Sequence, residues 1–225
     1  MKRWTTMIII AITLLFISGC QINSTYDENL SNINRILTNF SLDESYGYDY
    51  SSIQKDAEDR ELNKDTITQR IDRETEVKIY TEVESYRLNT FNLDSQYEIT
   101  NYVVYFYNNQ KGIQHGDDAI IWESTTYEEY NLMTLPIQRI DADNLSAYDV
   151  QTSENLTIIT CNVKIDKIEK VLGYTISNIS ELTLVVTFDA TEDRLIEIEV
   201  SYQQTLSNTV VTFKPNYDIV QVIIP

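Results

Sequence analysis

Histidine and cysteine, the side chains most often used for nucleophilic, acid–base and zinc chemistry, are scarce in this chain of 225 residues, which holds 1 His and 2 Cys. Cys161 alternates with Ile159, Val163 and Ile165 along one face of a predicted strand, where a thiol serves as a small buried hydrophobe. A nucleophilic thiol wants an imidazole beside it, but His115 sits in the turn-like Gln114-His115-Gly116-Asp117 with no tie to Cys161. Adjacent acids at Asp117-Asp118 and Glu128-Glu129 point in different directions, whereas glycosidase carboxylates are brought together from separate strands. Asp141-Ala142-Asp143-Asn144 opens like a calcium loop, but its sixth and twelfth positions are Ser146 and Thr152 rather than Gly and Glu. No Gly-rich phosphate loop and no Gly-x-Ser-x-Gly elbow occurs. The expectation is a non-enzyme with no catalytic residue, no metal site and no cofactor.

The remaining thiol is chemistry of another kind. Lys2 and Arg3 precede the apolar stretch Met7 to Ile17, too short to cross a membrane as a helix and in proportion for a secretory signal. Ile17-Ser18-Gly19-Cys20 follows, and it resembles the lipobox of bacterial lipoproteins. That resemblance implies cleavage of residues 1–19, acylation of Cys20 (palmitate among the chains), and a lipid anchor on the extracytoplasmic side of a bacterial cell membrane. Residues 20–25 then form a short tether.

Removing residues 1–19 leaves 15 basic against 35 acidic residues, a formal charge of −20. Such a surface excludes nucleic acid as a partner, and anionic headgroups repel it, so the body stands off the bilayer. The expected partners are the membrane, through the lipid on Cys20, and a hydrophobic ligand, with the protein a monomer.

Residues 26–225 read as one α+β domain. Leu30, Ile33, Ile36, Leu37 and Phe40 recur at helical spacing behind the capping box Thr25-Tyr-Asp-Glu28. Ser41 to Thr66 is charged and without a period, and is assigned as a loop or helical insertion. Val77, Ile79, Thr81 and Val83 alternate as in a strand, although Ile79 and Val83 also fit a helix. Gln96 to Tyr107 reads as a central strand, Asn108 to Gly112 as its turn, Ile113 as the start of its partner and Ala119 to Glu123 as another short strand. Leu132 to Tyr148 reads as a loop with a helical turn, and Asp166 to Leu172 as a short helix stopped by Gly173. Leu182 to Phe188 and Ile196 to Tyr202 form an alternating hairpin across Ala190 to Asp193. Ser207-Asn208 turns into Thr209 to Lys214, and Asp218 to Ile224 closes the chain as a last strand.

The early helix, the meander, and the ending Ile196-Glu-Ile-Glu-Val-Ser-Tyr202, Val210-Val-Thr-Phe213 and Tyr217-Asp-Ile-Val-Gln-Val-Ile-Ile-Pro225 resemble the LolA-like lipoprotein-carrier superfamily. The resemblance implies a curved antiparallel sheet, a half-barrel, with helices covering its concave face and an acyl chain or lipidated peptide held between them. Leu182, Leu184, Val186, Phe188, Ile196 and Ile198 are then the ligand-binding wall, with Leu30, Ile33, Leu37 and Phe40 as the lid. The alternative is an envelope interaction or structural lipoprotein whose core is filled and holds no ligand.

Overall fold

A computed structural model describes residues 25–40, 46–88, 97–130 and 135–225. The signal segment, Cys20 and most of the tether lie outside these residues. Helix α1 (Thr25–Asn39) comes first, then β1 (Gly47–Asp56), β2 (Glu61–Asp72), β3 (Lys78–Leu88), β4 (Tyr97–Tyr107), β5 (Gln110–Gln114) and β6 (Ile121–Ser124). A single turn of helix, α2 (Tyr127–Tyr130), leads towards β7 (Leu145–Ser153), β8 (Leu156–Val163), the short α3 (Ile168–Leu172), β9 (Ile179–Asp189), β10 (Arg194–Gln204) and β11 (Ser207–Pro215).

All eleven described strands join one open antiparallel sheet in the order β6-β5-β4-β3-β2-β1-β11-β10-β9-β8-β7. Two meanders, β1–β6 and β7–β11, therefore meet at the β1–β11 seam, where Tyr50 pairs with Phe213. The class is α+β, as expected, with few helices among the described residues.

Local chemistry sets the hairpins. Asn108 and Asn109 both take positive φ (51° and 56°), the requirement of a two-residue turn whose twist matches its strands. Gly173 stops α3 at φ 81°, and its N–H donates to the Glu169 carbonyl at 2.8 Å. Gly47 opens β1 at φ 137°, and a Cβ there would lie 2.0 Å from the Gln69 carbonyl oxygen. Only glycine fits that approach.

Four sequence expectations are corrected. The described part of Ser41–Thr66 is neither loop nor helix but β1 and the first half of β2. These strands lack a greasy alternation because cross-strand polar pairs hold them: Arg70 grips Asp49 through both carboxylate oxygens at 2.9 and 3.1 Å, and Asn63 donates to Gln54 at 2.6 Å. The acidic run is their turn, with the Asp56 carboxylate accepting from the backbone of Glu58 and Arg60. Asp218–Ile224 is not a strand, because β1 and β10 already occupy both edges of β11. Its Val222 N–H donates instead to the buried Asp72 at 3.2 Å. Ser207-Asn208 belongs to β11, and the turn lies two residues earlier, at Thr205-Leu206. Ile196 does not share the covered face. A bulge sets Leu195 opposite Phe188 and Glu197 opposite Thr187, so Ile196 is the extra residue and Leu195 takes the inward place.

Residues 78–88 are a strand rather than a helix. Of the stretch 132–148, the first three residues lie outside the described ones, and Leu145–Tyr148 already belongs to β7. The main core joins Leu30, Ile33, Ile36 and Leu37 of α1 to Cys161, Leu184, Val186, Ile198, Val200 and Phe213 on one face of β8–β11. A second, small core holds Ile71, Ile79 and Phe106 at one end of β2–β4.

Candidate functional site

Strand register places side chains in rows across the sheet, and one row runs through both halves. Ile159, Val186, Ile198 and Phe213 are successive cross-strand partners on β8, β9, β10 and β11. The same row continues through Tyr50, Ile67, Val83 and Tyr102 on β1 to β4. The first four are 0–1 % exposed, whereas the last four are half-buried. The face that forms the core in one half is thus left partly open in the other.

Helix α1 marks where the cover stops. Phe40, just beyond it, meets the Phe213 ring edge-on at 5.9 Å, and Tyr48 stacks on Phe213 at 5.4 Å. On the β1 side of this aromatic seam lies an open groove of about 440 Å³ lined by Tyr48, Ile67, Gln69, Thr81, Val83, Tyr102, Val104, Lys111, Ile113, Thr125, Glu129 and Tyr130. Two rows make its floor. Ile67, Val83 and Tyr102 form one, and Tyr48, Gln69, Thr81, Val104 and Ile113 form the other.

Helix α2 bounds the groove. A reciprocal capping box starts it: Glu129 N–H donates to Thr126 Oγ1 at 3.2 Å, and the Thr126 N–H donates to Glu129 Oε2 at 3.1 Å. Its rings pack on the small core, Tyr130 and Tyr127 standing 5.1 and 5.9 Å from Phe106. The Tyr130 hydroxyl reaches Thr81 Oγ1 at 2.8 Å, and Gln69 Nε2 donates to the same oxygen at 3.2 Å. Burial pushes the Tyr130 hydroxyl up to about 12, so it stays protonated across the physiological range. Burial likewise raises Tyr48 and Tyr50. Lys111 is matched by Glu123 at 2.6 Å, and Arg87 by Asp65 at 2.7 Å further along the same face. The groove therefore carries apolar walls, neutral hydroxyls, a Lys111 matched by Glu123 and the capping carboxylate of Glu129.

The structure brings Leu182, Leu184, Val186, Phe188 and Ile198 together as expected, but packs them into the main core at 0–2 % exposure. Ile196 stands apart, 37 % exposed on the bulge. Leu30, Ile33 and Leu37 are buried in the same core, with Phe40 partly buried against it. None of these residues lines the groove. Cys161 is fully buried, and burial pushes its thiol up to about 12, so no thiolate forms near neutrality. His115, beyond β5, packs on Tyr102 at 5.5 Å, on the opposite half of the sheet from Cys161 on β8. The Asp141 carboxylate is held by Arg139 at 2.8 Å. Among the described residues no group of three or more His, Cys, Asp or Glu is placed to hold a metal ion. No described helix is long and apolar enough to cross a membrane.

Sequence reasoning missed the groove because it sought an apolar stripe, and the lining interleaves Tyr, Gln and Thr with Ile and Val. The usable signal was Ile67, Val83 and Val104 recurring on neighbouring strands.

No family model and no curated protein sequence matches the chain. Among solved structures it is similar to LprF from Mycobacterium bovis, at 10 % identity and a TM-score of 0.41, over 87 % of this chain and 96 % of that one. A DUF1329 family protein from Desulfovibrio piger aligns at 12 % identity and a TM-score of 0.27, over 86 % of this chain and 95 % of the other. Likeness at these scores does not establish a shared fold.

Proposed function

We propose that this chain is an extracytoplasmic lipoprotein, lipid-anchored through Cys20, that binds the apolar chain of a ligand in the open half of its sheet without catalysing a reaction. Residues 26–225 act as one α+β domain in which the sheet curves as a half-barrel and α1 and α2 cover parts of its concave face. The observation that carries this reading is the row Ile159–Val186–Ile198–Phe213–Tyr50–Ile67–Val83–Tyr102, whose first four residues are core and whose last three line a groove of about 440 Å³. That volume lies in the range of small-molecule sites, and apolar floor left bare to water favours an apolar occupant.

The ligand-binding wall expected at Leu182–Phe188 and Ile198 becomes, on this reading, the filled support of the groove. The filled core favours the alternative of a partner-docking lipoprotein only for the β8–β11 half.

Native mass spectrometry of residues 20–225 carrying Cys20→Ser tests the binding, and membrane fractionation with fatty-acid labelling of the full chain carrying the same substitution tests the anchor. Bound acyl-chain species should accompany the protein, and the substitution should release it from the membrane and abolish fatty-acid labelling. A ligand-free protein that takes up no acyl amphiphile would overturn the binding function, and lipid labelling that persists without Cys20 would overturn the anchor.

A further inference from the structure

Gln69 sits in the middle of the groove floor, between Tyr48 and Thr81 in register, and is 5 % exposed. Its Nε2 donates to Thr81 Oγ1 at 3.2 Å, and that oxygen is engaged from the other side by the Tyr130 hydroxyl at 2.8 Å. Gln69 Oε1, however, is buried without a hydrogen-bond partner. A carbonyl in this condition is costly, and native structures leave few of them without a purpose. A plain hydrocarbon laid along Ile67, Val83 and Val104 would leave it unmet.

We infer that the groove selects neutral amphiphiles carrying a hydroxyl or amide N–H, and that this donor bonds Gln69 Oε1. The inference rests on the groove being the ligand site. Gln69 lines the groove, and a turn of its amide brings that oxygen to the ligand. The hydrogen bond that turn gives up, from Gln69 Nε2 to Thr81 Oγ1, is long at 3.2 Å, and Thr81 keeps the Tyr130 hydroxyl at 2.8 Å. Charge narrows the class further. The mature chain's formal charge of −20 repels an anionic head, while Lys111 and Arg87 on this face are already matched by Glu123 and Asp65.

Two neutral probes separate the donor from the chain: monolaurin, and 2,3-dimethoxypropyl laurate, which keeps every oxygen but has no O–H. Displacement of Nile red from the mature chain carrying Cys20→Ser should show monolaurin binding about tenfold more tightly, the worth of one hydrogen bond to a buried acceptor. Gln69→Met should bring the two probes to equal affinity. Should that variant not fold, Thr81→Val reads the same site: freeing the Gln69 amide to turn should strengthen monolaurin binding severalfold and leave the diether unchanged. Equal binding of both probes to the unsubstituted groove, or a preference that survives Gln69→Met, overturns the role of Gln69 and leaves the groove standing. Failure of both probes to displace or bind overturns the groove itself.

Discussion

Tyr50 and Phe213 face each other across the β1–β11 seam, and at that pair the covered half of the sheet gives way to the open half. Phe213 is 1 % exposed beneath the end of α1, while Tyr50 is half-buried at the margin of the groove. One row of cross-strand partners thus has two energetic roles, and the roles can be measured separately.

Ile198 and Ile67 share this row on opposite sides of the seam. Ile198→Ala removes a fully buried side chain from a packed core and should cost about 2–5 kcal/mol. Ile67→Ala, at a half-buried groove position, should cost roughly 1 kcal/mol while weakening ligand binding. Urea denaturation of both variants checks the ordering. Equal costs would mean the two halves are equally filled.

The β10 bulge makes a paired prediction. Leu195 is 1 % exposed and should lose about 2–5 kcal/mol on replacement by Ala, whereas Ile196→Thr should change stability by less than about 0.5 kcal/mol. The same denaturation experiment decides. A large loss at Ile196 and none at Leu195 would place the register one residue away.

Alkaline stability should reflect two buried groups. The thiol of Cys161 and the hydroxyl of Tyr130 both rise to about 12 in the folded chain from ordinary values of 9.0 and 10.0. Above pH 9 the unfolded chain therefore releases protons that the folded chain keeps, and stability, complete below pH 9, falls towards pH 12. Cys161→Ala should flatten the first part of that decline in melting temperature against pH. The native thiol should also resist a disulfide reagent at pH 8 and react on unfolding. Rapid native labelling would contradict its burial.

Legibility in the sequence followed where the water is. In β9 and β10 one face is core and the other solvent, so Leu182, Leu184, Val186 and Phe188 stand out by alternation. Only the bulge, which moves Ile196 outward, was invisible, because an inserted residue leaves composition unchanged. β1 and β2 are different. Their inner face passes from Tyr48 and Tyr50 to Ser52, and from Ile67 to Asp65, so neither face is uniformly apolar. Pairs such as Asp49–Arg70 and Asp65–Arg87 join residues 21 and 22 positions apart, a spacing without a sequence signature. The groove shares that concealment. Its lining comes from five strands and the α2 turn, each giving one to three residues of mixed polarity. The last segment, Asp218–Ile224, has a strand's composition but no free sheet edge beside β11, which only topology reveals.

The most direct measurement is photolabelling with a diazirine-bearing neutral acyl probe, followed by mapping of the labelled peptides by mass spectrometry. The mature chain carrying Cys20→Ser should be labelled in β2–β5, on the peptides holding Ile67, Val83, Val104 and Ile113. Excess unlabelled monolaurin should suppress that labelling. Label concentrated between Leu182 and Ile198, or label that monolaurin does not suppress, would contradict the open half of the sheet as the ligand site.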